Sequence, residues 1–187
     1  MSPEVTTAQQ LLSDCHDLGA LLDDWRAESV FLVADATGYE ISGASAILEP
    51  ILAGRLAGRF GVLKPNPQWP GMLDCARELG KVEPDAVLAV GGGTAMDVAK
   101  VANWLAVQSV DTDTILESMP EPPQTAPPVI AVPTTAGSGS EATQFAVVYR
   151  DGEKHSVAHP SLRPTAAIVD PALTASLPPD LTAHSGL

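Results

Sequence analysis

The chain has 187 residues, 45% hydrophobic and 18% charged, enough apolar material for one domain-sized core and too little charge for general disorder. Ten Lys and Arg against 23 Asp and Glu leave a formal charge of −13, which argues against nucleic acid or an anionic membrane surface as partner. No apolar run approaches the roughly 20 residues of a membrane span, MSPEVTTAQQ lacks the basic start and apolar stretch of a secretory leader, and Cys15 and Cys75 form no CxxC pattern, so a soluble cytoplasmic protein with two reduced, half-buried cysteines is expected.

Leu11, Leu12, Cys15, Leu18, Leu22 and Trp25 fall at helical spacing, opposite Asp14, Asp17, Asp23 and Asp24, and predict an amphipathic first helix. Residues 29–34 are a short apolar run rich in branched and aromatic side chains, which predicts a buried strand ending at Asp35. Helical spacing returns between Gly43 and Leu56, weakened at Pro50, and Arg59 to Leu63 reads as a second strand. Lys64-Pro-Asn-Pro67 reads as a rigid extended loop. A helix is predicted from Trp69 to Lys81, a third strand from Asp85 to Val90 running into Gly91, Gly92 and Gly93, and a helix from Thr94 to Gln108.

Residues 111–128 carry five prolines and read as a stiff connector. A fourth strand at 129–132 then leads into the small-residue loop 133–140. Gln144 to Tyr149 and Lys154 to Ala158, joined by Asp151-Gly152, read as a hairpin. Another short strand follows at 166–169, and a new helix starts near Asp180. Strands alternating with helices, and apolar along their whole length, predict an α/β fold with a parallel sheet covered on both faces.

Two loops carry the chemistry. GGGTAMDVAK (91–100) follows a strand and opens a helix, where backbone amides and the positive helix end can cradle a phosphate; Thr94 can cap that helix or offer its hydroxyl to an oxygen. The sequence is neither GxGxxG nor GxxxxGK[ST], and a tight structural turn is the competing reading. PTTAGSGSEAT (133–143) also follows a buried strand, and its hydroxyls and glycines suit a sugar or pyrophosphate. Two such loops at the ends of parallel strands would face one crevice. Asp35, at the end of the first strand, is placed to accept from ribose hydroxyls and repel a 2′-phosphate, or simply to cap a turn.

GGGTAMDVAK, PTTAGSGSEAT, KPNP at 64–67 and AAIVDPALTASLPPDLTAHSG at 166–186 together resemble the iron-containing (group III) alcohol dehydrogenases, in order and spacing, along essentially the whole chain. The resemblance implies a Rossmann-like dinucleotide-binding domain with an added β-hairpin over residues 1–179, and the start of a helical domain, otherwise absent, over 180–187. It implies that Gly91, Gly92, Gly93 and Thr94 hold the pyrophosphate of NAD, with NADP as the alternative. Asp97 would lie by the cofactor, and Asn66, Thr134, Thr135, Ser138 and Thr143 would line its remaining length. Asp35 would favour NAD over NADP, and Val147 and Lys154 would lie near the nicotinamide.

The same family holds Fe2+ or another divalent metal with an Asp and three His that follow TAHSG, so this chain is expected to contain no metal ligand and no catalytic residue, and to be inactive alone. His155 and His159, four apart, fall in an extended segment and are expected to lie far from each other. The stretch 141–171 also resembles the phosphonoacetaldehyde reductase branch of the family, with Lys154, Arg163 and Arg150 as candidate cations for a phosphonate. The expected partners are a small alcohol or aldehyde and a second copy or a helical domain. A non-catalytic nucleotide-binding module is the alternative function.

Overall fold

In the computed structural model, residues 8–62, 66–108, 119–120 and 126–186 are described. The chain runs β1 (Gln10–Leu12), α1 (Leu18–Trp25), β2 (Val30–Asp35), α2 (Ala36–Ile41), α3 (Ala44–Leu52), β3 (Leu56–Val62), α4 (Trp69–Val82), β4 (Ala86–Gly91) and α5 (Gly93–Ala106). It continues with β5 (Val129–Pro133), β6 (Phe145–Arg150), β7 (Glu153–Ala158), β8 (Ala166–Ile168) and α6 (Pro179–Gly186). Short 3-10 turns occur at Cys15–Asp17, Pro160–Leu162 and Pro171–Thr174.

Six strands form one parallel sheet in the order β1-β8-β5-β4-β2-β3, and β6 and β7 pair antiparallel beside it. Successive strand residues point to opposite faces, so each inner strand supplies two cores. Phe31, Val33, Val87, Ala89, Val129 and Ala131 pack with α4, α5 and the hairpin residues Ala146 and Val148. Val30, Leu32, Ala34, Leu88, Ile130 and Val132 pack with Leu18, Leu22, Leu48 and Leu52 of α1 and α3. Burial on both sides is why these strands read as unbroken apolar runs, and the parallel α/β expectation holds.

The first predicted helix divides. Gln10–Leu12 is a strand because β8 supplies a ladder: Gln10 N–H donates to Thr165 O and Val169 N–H to Leu12 O, at 3.0 and 2.8 Å. The Asp14 carboxylate then accepts from His16 N–H at 2.9 Å and starts a 3-10 turn, so the helix begins only at Leu18. Leu11, read as core, is 71% exposed. The helix expected to run to Leu56 ends at Leu52, and Leu56 already belongs to β3. Helix α2 is an element the sequence did not suggest.

Asp151 and Gly152 both take positive φ, 54° and 84°, as a two-residue hairpin turn of this hand requires, and the hairpin is where the sequence puts it. Cys15 and Cys75 are fully buried rather than half-buried, and unpaired. Burial pushes the Cys15 thiol up to about 12 and the Cys75 thiol up as well, which makes both poor nucleophiles. The connector expected over 111–128 lies outside the described residues except for 119–120 and 126–128, as do Lys64 and Pro65 of the KPNP segment.

Candidate functional site: a cleft at the carboxyl ends of the strands

From β2 the chain moves outward to β3, then returns through α4 to β4 on the other side of β2. The helices after neighbouring strands therefore diverge between β2 and β4, and a crevice opens outside the strand ends. A cleft of about 560 Å³ lies there, with Asp35, Gly92, Gly93, Thr94, Thr134 and Thr135 along its walls.

Its floor depends on glycines. Gly91 has φ +144°, and a Cβ there would stand 2.9 Å from the Ala95 methyl and 3.4 Å from Asp35 Cβ. Only glycine lets β4 pass this close to β2 before turning into α5. Gly92 is the N-cap of α5, and no side chain caps that end. The 14-residue helix thus presents its first turn, without a side-chain cap and with its positive dipole end, to the cleft. Thr94 lines the cleft from inside the first turn, so it does not cap the helix.

The second loop is laid against the first. Thr134 N–H donates to Gly91 O at 2.9 Å. A Cβ on Gly92 would meet Thr135 Oγ1 at 3.1 Å, and one on Gly93 would meet Ser138 Cβ at 3.0 Å. Asp35 lines the cleft and also caps α2 by accepting from Thr37 N–H at 3.1 Å.

The remaining sequence candidates stand off this lining. Asn66 is exposed in a left-handed conformation with φ +66°. Ser138 is exposed and Thr143 half-buried in the second loop; Val147 is half-buried in β6, and Lys154 is exposed in β7 opposite Tyr149. Asp97 is 7% exposed and faces protein rather than the cleft: it accepts from Ser140 Oγ at 2.6 Å and from Val147 N–H at 2.9 Å. Burial raises its carboxyl above the ordinary range against the pull of those bonds and of Lys100.

Sequence reasoning missed Thr37, Gly38 and Val62, and the wall formed by Leu173, Ser176 and Leu177. Ser176 Oγ donates to Ile41 O at 3.0 Å, tying that wall to α2 across 135 residues of sequence, a link without a local signal. It also missed Lys100, 1% exposed, whose signal was a cation three residues from Asp97 on an otherwise apolar helix face.

His155 lies in β7 and His159 just beyond it, about 13 Å along an extended chain, so they do not meet. His159 Nδ1 is 2.6 Å from Ser161 Oγ. Among the described residues, no three His, Cys, Asp or Glu side chains are grouped to hold a metal ion. No described helix is long and apolar enough to cross a membrane.

The family model of iron-containing alcohol dehydrogenases matches residues 12–171. The mitochondrial hydroxyacid-oxoacid transhydrogenase of Xenopus laevis is 32% identical over 182 residues, covering 91% of this chain and 39% of that protein. The probable alcohol dehydrogenase EutG of Salmonella typhimurium is 41% identical over 114 residues, 59% of this chain and 28% of that one. Among solved structures, the sulfoacetaldehyde reductase of Bifidobacterium kashiwanohense, in complex with NAD+, superposes with a TM-score of 0.86 at 30% identity, over 95% of this chain and 48% of that one. The chain thus spans less than half the length of these relatives. Matched over most of its length and sharing their parallel α/β architecture, the chain belongs to the iron-containing alcohol dehydrogenase family.

Proposed function

We propose that the cleft binds NAD, with the pyrophosphate over Gly92 and Gly93 at the start of α5 and the adenosine ribose toward Asp35. The observation that carries this reading is the uncapped first turn of α5 opening into a cleft between β2 and β4, on a floor that Cβ atoms would fill. The cradle fits a dinucleotide: backbone donors for phosphate, Thr94, Thr134 and Thr135 hydroxyls alongside, and a carboxylate for ribose hydroxyls. Support comes also from the sulfoacetaldehyde reductase, whose structure is described in complex with NAD+.

In this reading the chain is the cofactor-holding part of a dehydrogenase that moves hydride between nicotinamide and an alcohol or aldehyde. Val147 and Lys154 on the hairpin border the nicotinamide end. In this reading the residues along the cleft are assigned cofactor binding. The substrate class is a small aldehyde bearing a tetrahedral anion, such as phosphonoacetaldehyde. Its support is the likeness to a reductase of the sulfonate analogue, with exposed Lys154 and Arg163 as candidate cations.

Calorimetric titration of the 187-residue chain with NADH and NADPH tests the reading. Saturable binding that prefers NADH, with no oxidation of NADH when phosphonoacetaldehyde and a divalent metal are added, is expected. Absence of binding to either nucleotide overturns the cofactor role, and steady turnover overturns the assignment of this chain to cofactor binding alone.

A further inference from the structure

Helix α5 carries two charged residues that the cleft does not use. Lys100 Nζ donates to Ser140 Oγ at 3.0 Å, to Ser140 O at 3.1 Å and to Phe145 O. These are three acceptors for the three protons of an ammonium. Asp97 Oδ1 accepts from Ser140 Oγ at 2.6 Å, Oδ2 accepts from Val147 N–H at 2.9 Å, and Nζ lies 3.8 Å from Oδ1. The Ser140 hydroxyl stands between the two charges, accepting from one and donating to the other.

Burying two charges is costly, and an apolar pair of similar volume would pack as well. What the charged pair adds is direction. Each bond ends on the last part of the second loop or on the first residues of β6, so one turn of α5 fixes both segments in register. One and two turns earlier the same helix carries Gly93 and Thr94 on the cleft wall. The helix that faces the cleft therefore also fixes the place of the hairpin.

We infer that Asp97, Ser140 and Lys100 are positioning residues that hold β6 and the end of the second loop against α5, and through them set the nicotinamide end of the cofactor and not its phosphate end. This rests on the dinucleotide reading above. Asp97 then acts through Val147 instead of touching the cofactor.

The test compares NADH with AMP, which shares the adenosine and one phosphate and lacks the nicotinamide half, by calorimetry on wild type, Ser140→Ala and Asp97→Asn. Loss of a hydrogen bond within the buried network is expected to weaken NADH by roughly tenfold. AMP affinity should stay within about twofold, because the Asp35 end is untouched. Hydrogen exchange at the Val147 amide should quicken in both variants. General destabilisation would lower the two affinities together, and that result, or an unchanged NADH affinity, overturns the inference. If Ser140→Ala does not fold, Asp97→Asn, which keeps the shape and loses the charge, decides by the same comparison. Wild-type protein that binds neither ligand removes the dinucleotide reading itself, a failure distinct from parallel losses in the variants.

Discussion

Gly92 and Thr135 approach so closely that a Cβ on the glycine would lie 3.1 Å from the threonine hydroxyl. The two loops of the cleft are thus packed on one another, and the floor of the cleft is made by the absence of a side chain. In Gly92→Val, two further methyl groups must displace Thr135 or enter the cleft. NADH affinity should fall by roughly a hundredfold, about 2.7 kcal/mol, in calorimetry. An affinity within a factor of two of wild type would show that the cofactor does not use this floor.

Asp35 caps α2 and lines the cleft, and substitution can separate the cap from the cofactor role proposed for it. Asp35→Ala removes both the negative charge toward the cleft and the cap on α2. It should lower stability by about 1 kcal/mol in urea unfolding and raise the affinity for NADPH relative to NADH. Asp35→Asn retains a capping oxygen, so it should relax the nucleotide preference with little loss of stability. An unchanged NADH to NADPH ratio in both variants would leave Asp35 as a cap only.

Strand β3 holds two glycines in opposite circumstances. A Cβ on Gly58 would stand 2.7 Å from the Phe31 ring and 3.2 Å from Val82, whereas one on Gly61 would meet nothing within 4 Å. Gly58→Ala should cost about 1–3 kcal/mol through overpacking. Gly61→Ala should change stability by less than about 0.5 kcal/mol. Equal urea midpoints for the two variants would contradict the close contact between β3 and β2.

Asp85 accepts from Glu28 N–H, Ser29 N–H and Ser29 Oγ at 2.8 to 2.9 Å, and these bonds hold its carboxyl below the ordinary value of 3.8. A carboxyl whose pKa falls on folding stabilises the protein above its unfolded value, and that contribution is lost as pH drops through the folded one. Asp85→Asn should therefore be less stable than wild type at pH 7, with the gap narrowing below pH 3.8. Its carboxylate is largely exposed, so the gap should be small and narrow further in salt. A constant difference in urea midpoint between pH 7 and pH 3 would exclude a titrating origin.

Much of this architecture is visible in the residues because its signals are local. The apolar runs of β2, β4 and β5 are continuous since both faces are covered, and Gly91 to Gly93 sit at a strand end where a phosphate cradle is expected. The cleft joins Asp35, the glycine loop, Thr134 and Thr135 as the spacing suggested. What escaped needs distant partners. Leu11 and Leu12 fit a helical period as well as a strand, and only β8, more than 150 residues on, decides between them. The bonds from Asp97 to Ser140 and Val147 likewise join residues more than 40 positions apart and leave no local signal.

The pairing of Gln10–Leu12 with Ala166–Ile168 also bears on how the chain can assemble. During synthesis the first strand emerges long before its partner exists, while β2, β3 and β4 can already associate among themselves. Strand β1 has no ladder partner until β8 has been made, because β8 is the strand it pairs with. The ladder of β1 thus closes over more than 150 residues, the longest separation between paired strands among the described residues, and is expected to form late. Pulse-labelled amides of Leu12 and Val169 should gain protection together, and later than those of Leu88.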